Sequence, residues 1–281
     1  MVIMSKICFF DIDGTIIGRS RVITEKNLEA IRCLREKGHK AILCTGRSPA
    51  SIPSSIREIG WDGIVSSAGS YIYVDDQLIF ENHIDSNKLL EIIYLFTKNH
   101  ILFGLETKEW IYQSPGIKDF FDEMFKRDSQ PNLEAVRAKE DREFNASRKP
   151  LTDFNGVTPV AKVTFIAHDK ESFERIIPYV ENDFNIVYFS QPHEPFMNGE
   201  LILKTCTKGD GVRRIVEFLG ASMEDTIAFG DSMNDHEMLL VANKSYVSEL
   251  SSEYLKSIAD GEFEDPDKNG MAHLLRKLEL I

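Results

Sequence analysis

The chain has 281 residues, with 33 Lys or Arg against 45 Asp or Glu, a net charge of −12 at neutral pH. Such acidity argues against a binder of nucleic acid or of an anionic membrane surface, both of which need a basic face. A hydrophobic fraction of 42% and a charged fraction of 28% are those of a folded chain, not a disordered one.

The first apolar run, Ile7-Cys-Phe-Phe10, ends at Asp11. It is too short for a signal segment, and no other run approaches the roughly 20 residues of a membrane span. From Thr24 to Lys37, Leu28, Ile31 and Leu34 recur at three-residue spacing, with Thr24 as N-cap and Gly38 past the end, which predicts a helix. Ala41 to Cys44 and Gly63 to Val65 are further short apolar runs. Unbroken apolar strands separated by helices predict a parallel sheet covered on both faces.

The middle of the chain differs. Asp85 to His100 predicts a helix, Ile101 to Gln113 strands, Ala161 to Ala167 a strand, Lys170 to Asn182 a helix and Ile186 to Ser190 a strand. Residues 134–149 are highly charged and predict a solvated surface. After residue 196 the α/β grammar returns: a helix over 209–219, a strand over Thr226 to Phe229, and a helix from Asp235 to Val241. The expected organisation is an α/β core made of residues 1–84 and 196–281, a Rossmann-like parallel sheet, with an α+β insertion over 85–195. The four scattered cysteines, with no CxxC pair, are expected in a reducing, cytoplasmic compartment.

Three predicted strands run into polar residues: Asp11-Ile-Asp13-Gly14-Thr15, Thr45-Gly46-Arg47, and Gly230-Asp231-Ser232-Met233-Asn234-Asp235. Ligands of open α/β sheets bind beyond the carboxyl ends of strands. Several carboxylates gathered there repel one another without a cation, and Mg²⁺ suits hard oxygen ligands and a substrate phosphate. A carboxylate is also a competent nucleophile toward phosphorus, and a second one can move protons.

These segments resemble the motifs of the haloacid dehalogenase-like phosphohydrolases, and within them the Cof-type phosphatases. DxDGT stands as Asp11 to Thr15, the second-motif Thr as Thr45, the third-motif Lys as Lys208 in Thr207-Lys208-Gly209, and GDxxND as Gly230 to Asp235. The resemblance implies a Mg²⁺-dependent phosphatase in which Asp11 is nucleophile and metal ligand and Asp13 is the acid/base, its carbonyl also on the metal. It implies that Thr45, Gly46, Arg47 and Lys208 hold the substrate phosphate, that Asp231 ligates the metal, and that Asn234 and Asp235 support. The insertion would be a cap that selects a small phosphorylated metabolite, either a sugar phosphate or a phosphorylated cofactor. A phosphosugar mutase and a non-catalytic phosphometabolite binder share these motifs and stand as alternatives.

Two departures are visible. Ala68-Gly69-Ser70 stands where the subfamily carries Asn-Gly-Ala, and its Met-Gly-Asn-Ala segment is not recognisable between Val241 and Ser252. Asp265-Pro-Asp267-Lys-Asn269-Gly270 matches half of a calcium loop, but Arg276 stands where the closing Glu belongs, so a turn before the last helix is expected. Trp110, Tyr112 and Phe121 in the insertion are expected in core packing rather than on substrate.

Overall fold

Ile7–Phe10 forms β1 of the computed structural model, with all four residues buried, as a central parallel strand requires. The structure describes residues 5–127, 146–190 and 194–281. The chain divides into two units. The first comprises Met1–Gly46, Ser54–Glu81 and Cys206–Ile281, and the second Arg47–Pro53 and Asn82–Thr205.

In the first unit a helix, Glu25–Glu36, follows β1, and the Thr24 hydroxyl caps it by accepting from Asn27 N. Asn27 is buried and satisfied: its amide donates to the Pro266 carbonyl and its oxygen accepts from Ala272 N, each at 3.0 Å. β2 (Lys40–Cys44) and β3 (Gly63–Ser66) continue the sheet in parallel. The chain then reverses through β4 (Tyr71–Val74) and β5 (Gln77–Glu81), an antiparallel hairpin not anticipated from the sequence. Its two-residue turn, Asp75-Asp76, has positive φ at both positions, the conformation that matches strand twist, but it uses no glycine.

The second unit is built on six strands: β6 (Leu102–Glu106), β7 (Ile111–Gln113), β8 (Arg148–Pro150), β9 (Lys162–Ala167), β10 (Phe184–Tyr188) and β11 (Met197–Leu203), ordered β10-β11-β9-β6-β7-β8. All pairs are antiparallel except β7 with β8. One face is apolar and packs on the helix Ser86–Lys98, capped by Asp85, and on Phe173, whose ring stacks on Phe165 at 3.9 Å. The helix expected over 170–182 is two short ones, Lys170–Glu174 and Ile177–Val180. Pro178 has no N–H to donate to the Glu174 carbonyl, so the helix breaks there. The insertion was expected to end at residue 195, yet β11 lies inside this second sheet and the unit runs on to Thr205. The charged stretch 134–149 lies, up to residue 145, outside the described residues.

The opposite sheet face of this unit carries charge. Lys162 on β9 places its ammonium 2.5 Å from Glu200 and 3.4 Å from Glu106, with all three residues buried. Tyr112 and Phe121 are buried, and Tyr112 packs on Phe154. Trp110 lies beneath the Lys149 ammonium, 3.6 Å from the ring centroid.

The chain then re-enters the first unit through the helix Lys208–Phe218, β12 (Thr226–Gly230), the helix His236–Val241, β13 (Lys244–Ser248) and β14 (Gly261–Phe263). The completed sheet has the order β14-β13-β12-β1-β2-β3-β4-β5, parallel except for the hairpin. Ile7, Phe9, Ile42, Val65, Val212 and Ile215 form the heart of its core. Asp265 to Gly270 forms a turn before the last helix, Gly270–Lys277. Protein donors take its carboxylates: Asp265 accepts from Asp267 N, and Asp267 from the N–H and hydroxyl of Ser20.

Candidate active site

β1 and β12 are parallel neighbours, with Phe10 opposite Phe229, so the residues that follow them emerge side by side. Asp11 still takes part in the ladder, donating its N–H to the Phe229 carbonyl at 3.0 Å. The chain then winds into a tight turn in which the Ile12 carbonyl accepts from the N–H groups of Thr15, Ile16 and Ile17. Gly14 within this turn has φ +84° and lies so close to the Asp231 carboxylate that a Cβ would collide with it. Asp13 is half-buried beside Asp11. Thr45, at the end of β2, is buried and held by its backbone, donating to Val65 and accepting from Ala68 N.

Lys208 reaches this cluster from the first position of its helix. Thr207 caps that helix and exchanges hydrogen bonds with Asp210 in a capping box, which fixes where the lysine leaves the backbone. Its ammonium lies 2.6 Å from Asp11 Oδ1, 2.5 Å from Asp235 Oδ1 and 3.1 Å from Asn234 Oδ1. Burial works against this charge, but Asp11 and Asp235 outweigh burial and hold the lysine above its ordinary pKa. Burial pushes the Asp11 carboxyl up to about 7; Lys208 opposes that shift, while Asp235 and Asp13 add to it. Asp231 is raised well above the usual carboxylate range, first by burial and then by Asp235 and Asp11. One buried ammonium is thus outnumbered by carboxylates, and the cluster lacks positive charge.

The donor chemistry fits a hard divalent cation. Asp11, Asp231 and Asp235 each offer a carboxylate oxygen, all within 4.8 Å of one another. Asp231 Oδ1 is buried with no hydrogen-bond partner among the described residues, which a buried oxygen rarely tolerates. Asp235 is the poorest ligand of the three. Its Oδ1 is on Lys208, and its Oδ2 accepts from the N–H groups of Asp231 and Ser232. Asp11 and Asp231 are therefore the carboxylates placed to take a cation, and Asp235 braces the loop and the lysine.

The structure brings Asp11, Asp231, Asn234, Asp235 and Lys208 together. Gly46 approaches Asn234, whose amide nitrogen would stand 3.5 Å from a Cβ placed there. Arg47 falls in the second unit, and its guanidinium donates to the Ser51 carbonyl at 3.1 Å. Ala68-Gly69-Ser70 packs against the start of the lysine helix: Gly69, at φ +109°, lies against the Thr207 backbone too closely for any Cβ. Ala68 itself is left-handed, at φ 55° and ψ 30°. Cys44, close to Lys208, is buried, and burial pushes its thiol up, which disqualifies it as a nucleophile. Missing from the sequence reading is Ser251, whose hydroxyl donates to the Asp231 carbonyl at 2.8 Å.

The family described as haloacid dehalogenase-like hydrolase matches residues 8–275. Phosphatase YwpJ of Bacillus subtilis is 24% identical over 288 residues, covering 97% of this chain and 99% of its own. The 5-amino-6-(5-phospho-D-ribitylamino)uracil phosphatase YwtE of the same organism is 22% identical over 284 residues, covering 95% and 96%. A haloacid dehalogenase-like hydrolase from B. subtilis has the same fold, with a TM-score of 0.81 at 22% identity over 97% of this chain and 99% of that one.

Proposed function

We propose, for a chain that belongs to the haloacid dehalogenase-like hydrolases, a Mg²⁺-dependent phosphatase that hydrolyses a small phosphorylated metabolite through an aspartyl-phosphate. The observation that carries this reading is the Lys208 ammonium, buried between Asp11 and Asp235 beside the unpartnered oxygen of Asp231. A monoester phosphate is the ligand that lysine, carboxylate nucleophile and cation would hold in common.

Asp11 attacks phosphorus in line, and the bond from phosphorus to the leaving oxygen breaks. Asp13 protonates that oxygen as it departs. The resulting carboxylate of Asp13 then takes a proton from water, which attacks the aspartyl-phosphate, freeing inorganic phosphate and restoring Asp11. Lys208 and Thr45 hold the phosphoryl oxygens by hydrogen bonds that strengthen as charge develops. Asp11 must be ionised to attack, yet burial, with Asp235 and Asp13 adding to it and Lys208 opposing, pushes it up to about 7. Mg²⁺, held by Asp11, Asp231 and the Asp13 carbonyl, would supply the charge that keeps these carboxylates ionised and neutralises the phosphate.

To the second unit we assign selection of the leaving group. The name of the relative YwtE, a 5-amino-6-(5-phospho-D-ribitylamino)uracil phosphatase, supports a small metabolite with one phosphate, a sugar phosphate or a phosphorylated cofactor.

The test is phosphate release from an aryl phosphate by wild type and Asp11→Asn, each with Mg²⁺ and with chelator. Turnover by wild type only with metal, and none by Asp11→Asn, is expected. Metal-independent release, or full activity in Asp11→Asn, would defeat the reading. With a hexose phosphate as substrate, isomerised sugar phosphate in place of inorganic phosphate would identify a mutase.

A further inference from the structure

The geometry points to Ser251 as a positioning residue for the cation centre, acting through Asp231; the inference rests on the metal-dependent reading above. Asp231 is the first residue beyond β12, where ladder pairing with β13 has ended at Gly230 and Val247. Nothing in the strand itself therefore fixes its backbone. Two outside groups do. The Asp235 carboxylate accepts its N–H at 2.9 Å, and the Ser251 hydroxyl donates to its carbonyl at 2.8 Å.

Ser251 is itself held. It is nine-tenths buried, and its N–H donates to the Ser248 carbonyl at the end of β13. The turn that carries it is tied to the sheet edge, since Glu249 N donates to Phe263 and the Glu249 carboxylate accepts from Asp265 N. The hydroxyl is thus a strut from a fixed turn to the backbone of a residue whose carboxylate has a buried, unpartnered oxygen. With both backbone groups of Asp231 pinned, only its side-chain rotations remain to be ordered when a cation arrives. Outer partners of metal ligands typically contribute ten- to a hundredfold in affinity.

The experiment is calorimetric titration of Mg²⁺ into the full chain without substrate, for wild type, Ser251→Ala, Ser251→Thr and Ser252→Ala. Ser251→Ala is expected to weaken Mg²⁺ binding by about tenfold, and Ser251→Thr, which keeps a hydroxyl, to restore most of it. Ser252 serves as the control. Its hydroxyl only caps the helix Glu253–Ile258, so Ser252→Ala should lower the melting temperature in chelator and leave the Mg²⁺ Kd alone. In turnover, Ser251→Ala should raise the Mg²⁺ concentration for half-maximal rate without raising KM for the phosphate ester. An unchanged Kd in Ser251→Ala overturns the positioning role while leaving the phosphatase reading intact. A Kd that shifts equally in Ser252→Ala also overturns it, since the effect would then be general loosening. No Mg²⁺ binding by wild type would overturn both readings.

Discussion

Replacing Asp231 with Asn separates a carboxylate kept for a cation from one kept for the fold. The carboxylate oxygens of Asp11, Asp231 and Asp235 lie within 4.8 Å of one another, and one buried lysine faces them. At that separation and an effective dielectric near 20, two ionised carboxylates repel by about 3.5 kcal/mol. The metal-free protein limits this by protonation, as the raised Asp231 shows. Because its folded pKa lies above its unfolded one, Asp231 leaves the fold intact at low pH and destabilises it as pH rises from the ordinary carboxylate range through the raised value. Asn carries no charge at any pH. An unmade hydrogen bond of the buried amide offsets about 1 kcal/mol of the relief, leaving a net gain of about 2.5 kcal/mol at most.

In chelator at pH 8, Asp231→Asn is therefore expected to melt several degrees above wild type, given roughly 2–4 °C per kcal/mol for a domain of comparable size. At pH 4.5 the difference should shrink toward zero. Adding Mg²⁺ should reverse the order, since a cation at a hundred times its Kd stabilises wild type by about 2.7 kcal/mol and the variant hardly at all. Differential scanning fluorimetry across pH, with and without Mg²⁺, measures all three. A variant less stable than wild type in chelator at pH 8, gaining as much from Mg²⁺, would refute the reasoning and make Asp231 a structural anchor.

Lys208→Met strands the buried Asp11 and Asp235 without their cation, and breaking a buried pair this way costs about 3–5 kcal/mol; urea unfolding should show that loss together with absent phosphate release, and an unchanged midpoint would refute it. Ala68→Gly should stabilise by about 0.5–1 kcal/mol, because the left-handed conformation costs a residue with a Cβ about 1–2 kcal/mol while glycine's freer unfolded chain returns part of that; a lower urea midpoint would refute it. In the second unit, Lys162→Met should cost about 3–5 kcal/mol by taking the buried ammonium from Glu106 and Glu200, whereas changing all three to apolar residues should recover most of the loss, as thermal melts of the single and triple variants would show.

The core of the first unit was legible because its strands are buried on both faces and so read as unbroken apolar runs. β1, β2 and β12 each end where a polar residue interrupts the run, at Asp11, Thr45 and Asp231. Side-by-side pairing of β1 with β12 then brings Asp11 and Asp231 together without any further signal. Lys208 was legible through its resemblance to the third motif, and its capping box explains why the helix opens there. The hairpin β4–β5 was not, because its turn takes positive φ at two aspartates where a reader looks for glycine. Ser251 was not either. A hydroxyl meeting a carbonyl twenty residues away leaves no pattern in the chain, and the turn that delivers it depends on β14. Arg47 follows the Thr-Gly of the motif, and one of its guanidinium nitrogens donates to the Ser51 carbonyl four residues on.

β11 of the second unit was missed for a related reason. Met197–Leu203 carries Gly199 and Glu200 at its centre, and a glutamate in mid-run reads as an exposed residue. The strand exists because its neighbour supplies the counter-charge. Glu106 stands opposite Lys162 across β6 and β9, and Glu200, opposite Thr164, is Lys162's diagonal neighbour across β11 and β9. None of these three charges belongs in a sheet alone, since each would be buried unpaired. Lys162 stands between the two glutamates, and the three fix register, because a one-residue slip of β9 would turn Lys162 to the apolar face against Phe165's neighbours. In the first unit the carboxylates outnumber the lysine where strands end; in the second, Lys162 ties β9 to β6 and β11 in mid-sheet. That difference in place separates a cluster formed where strands end from one that holds three strands in line.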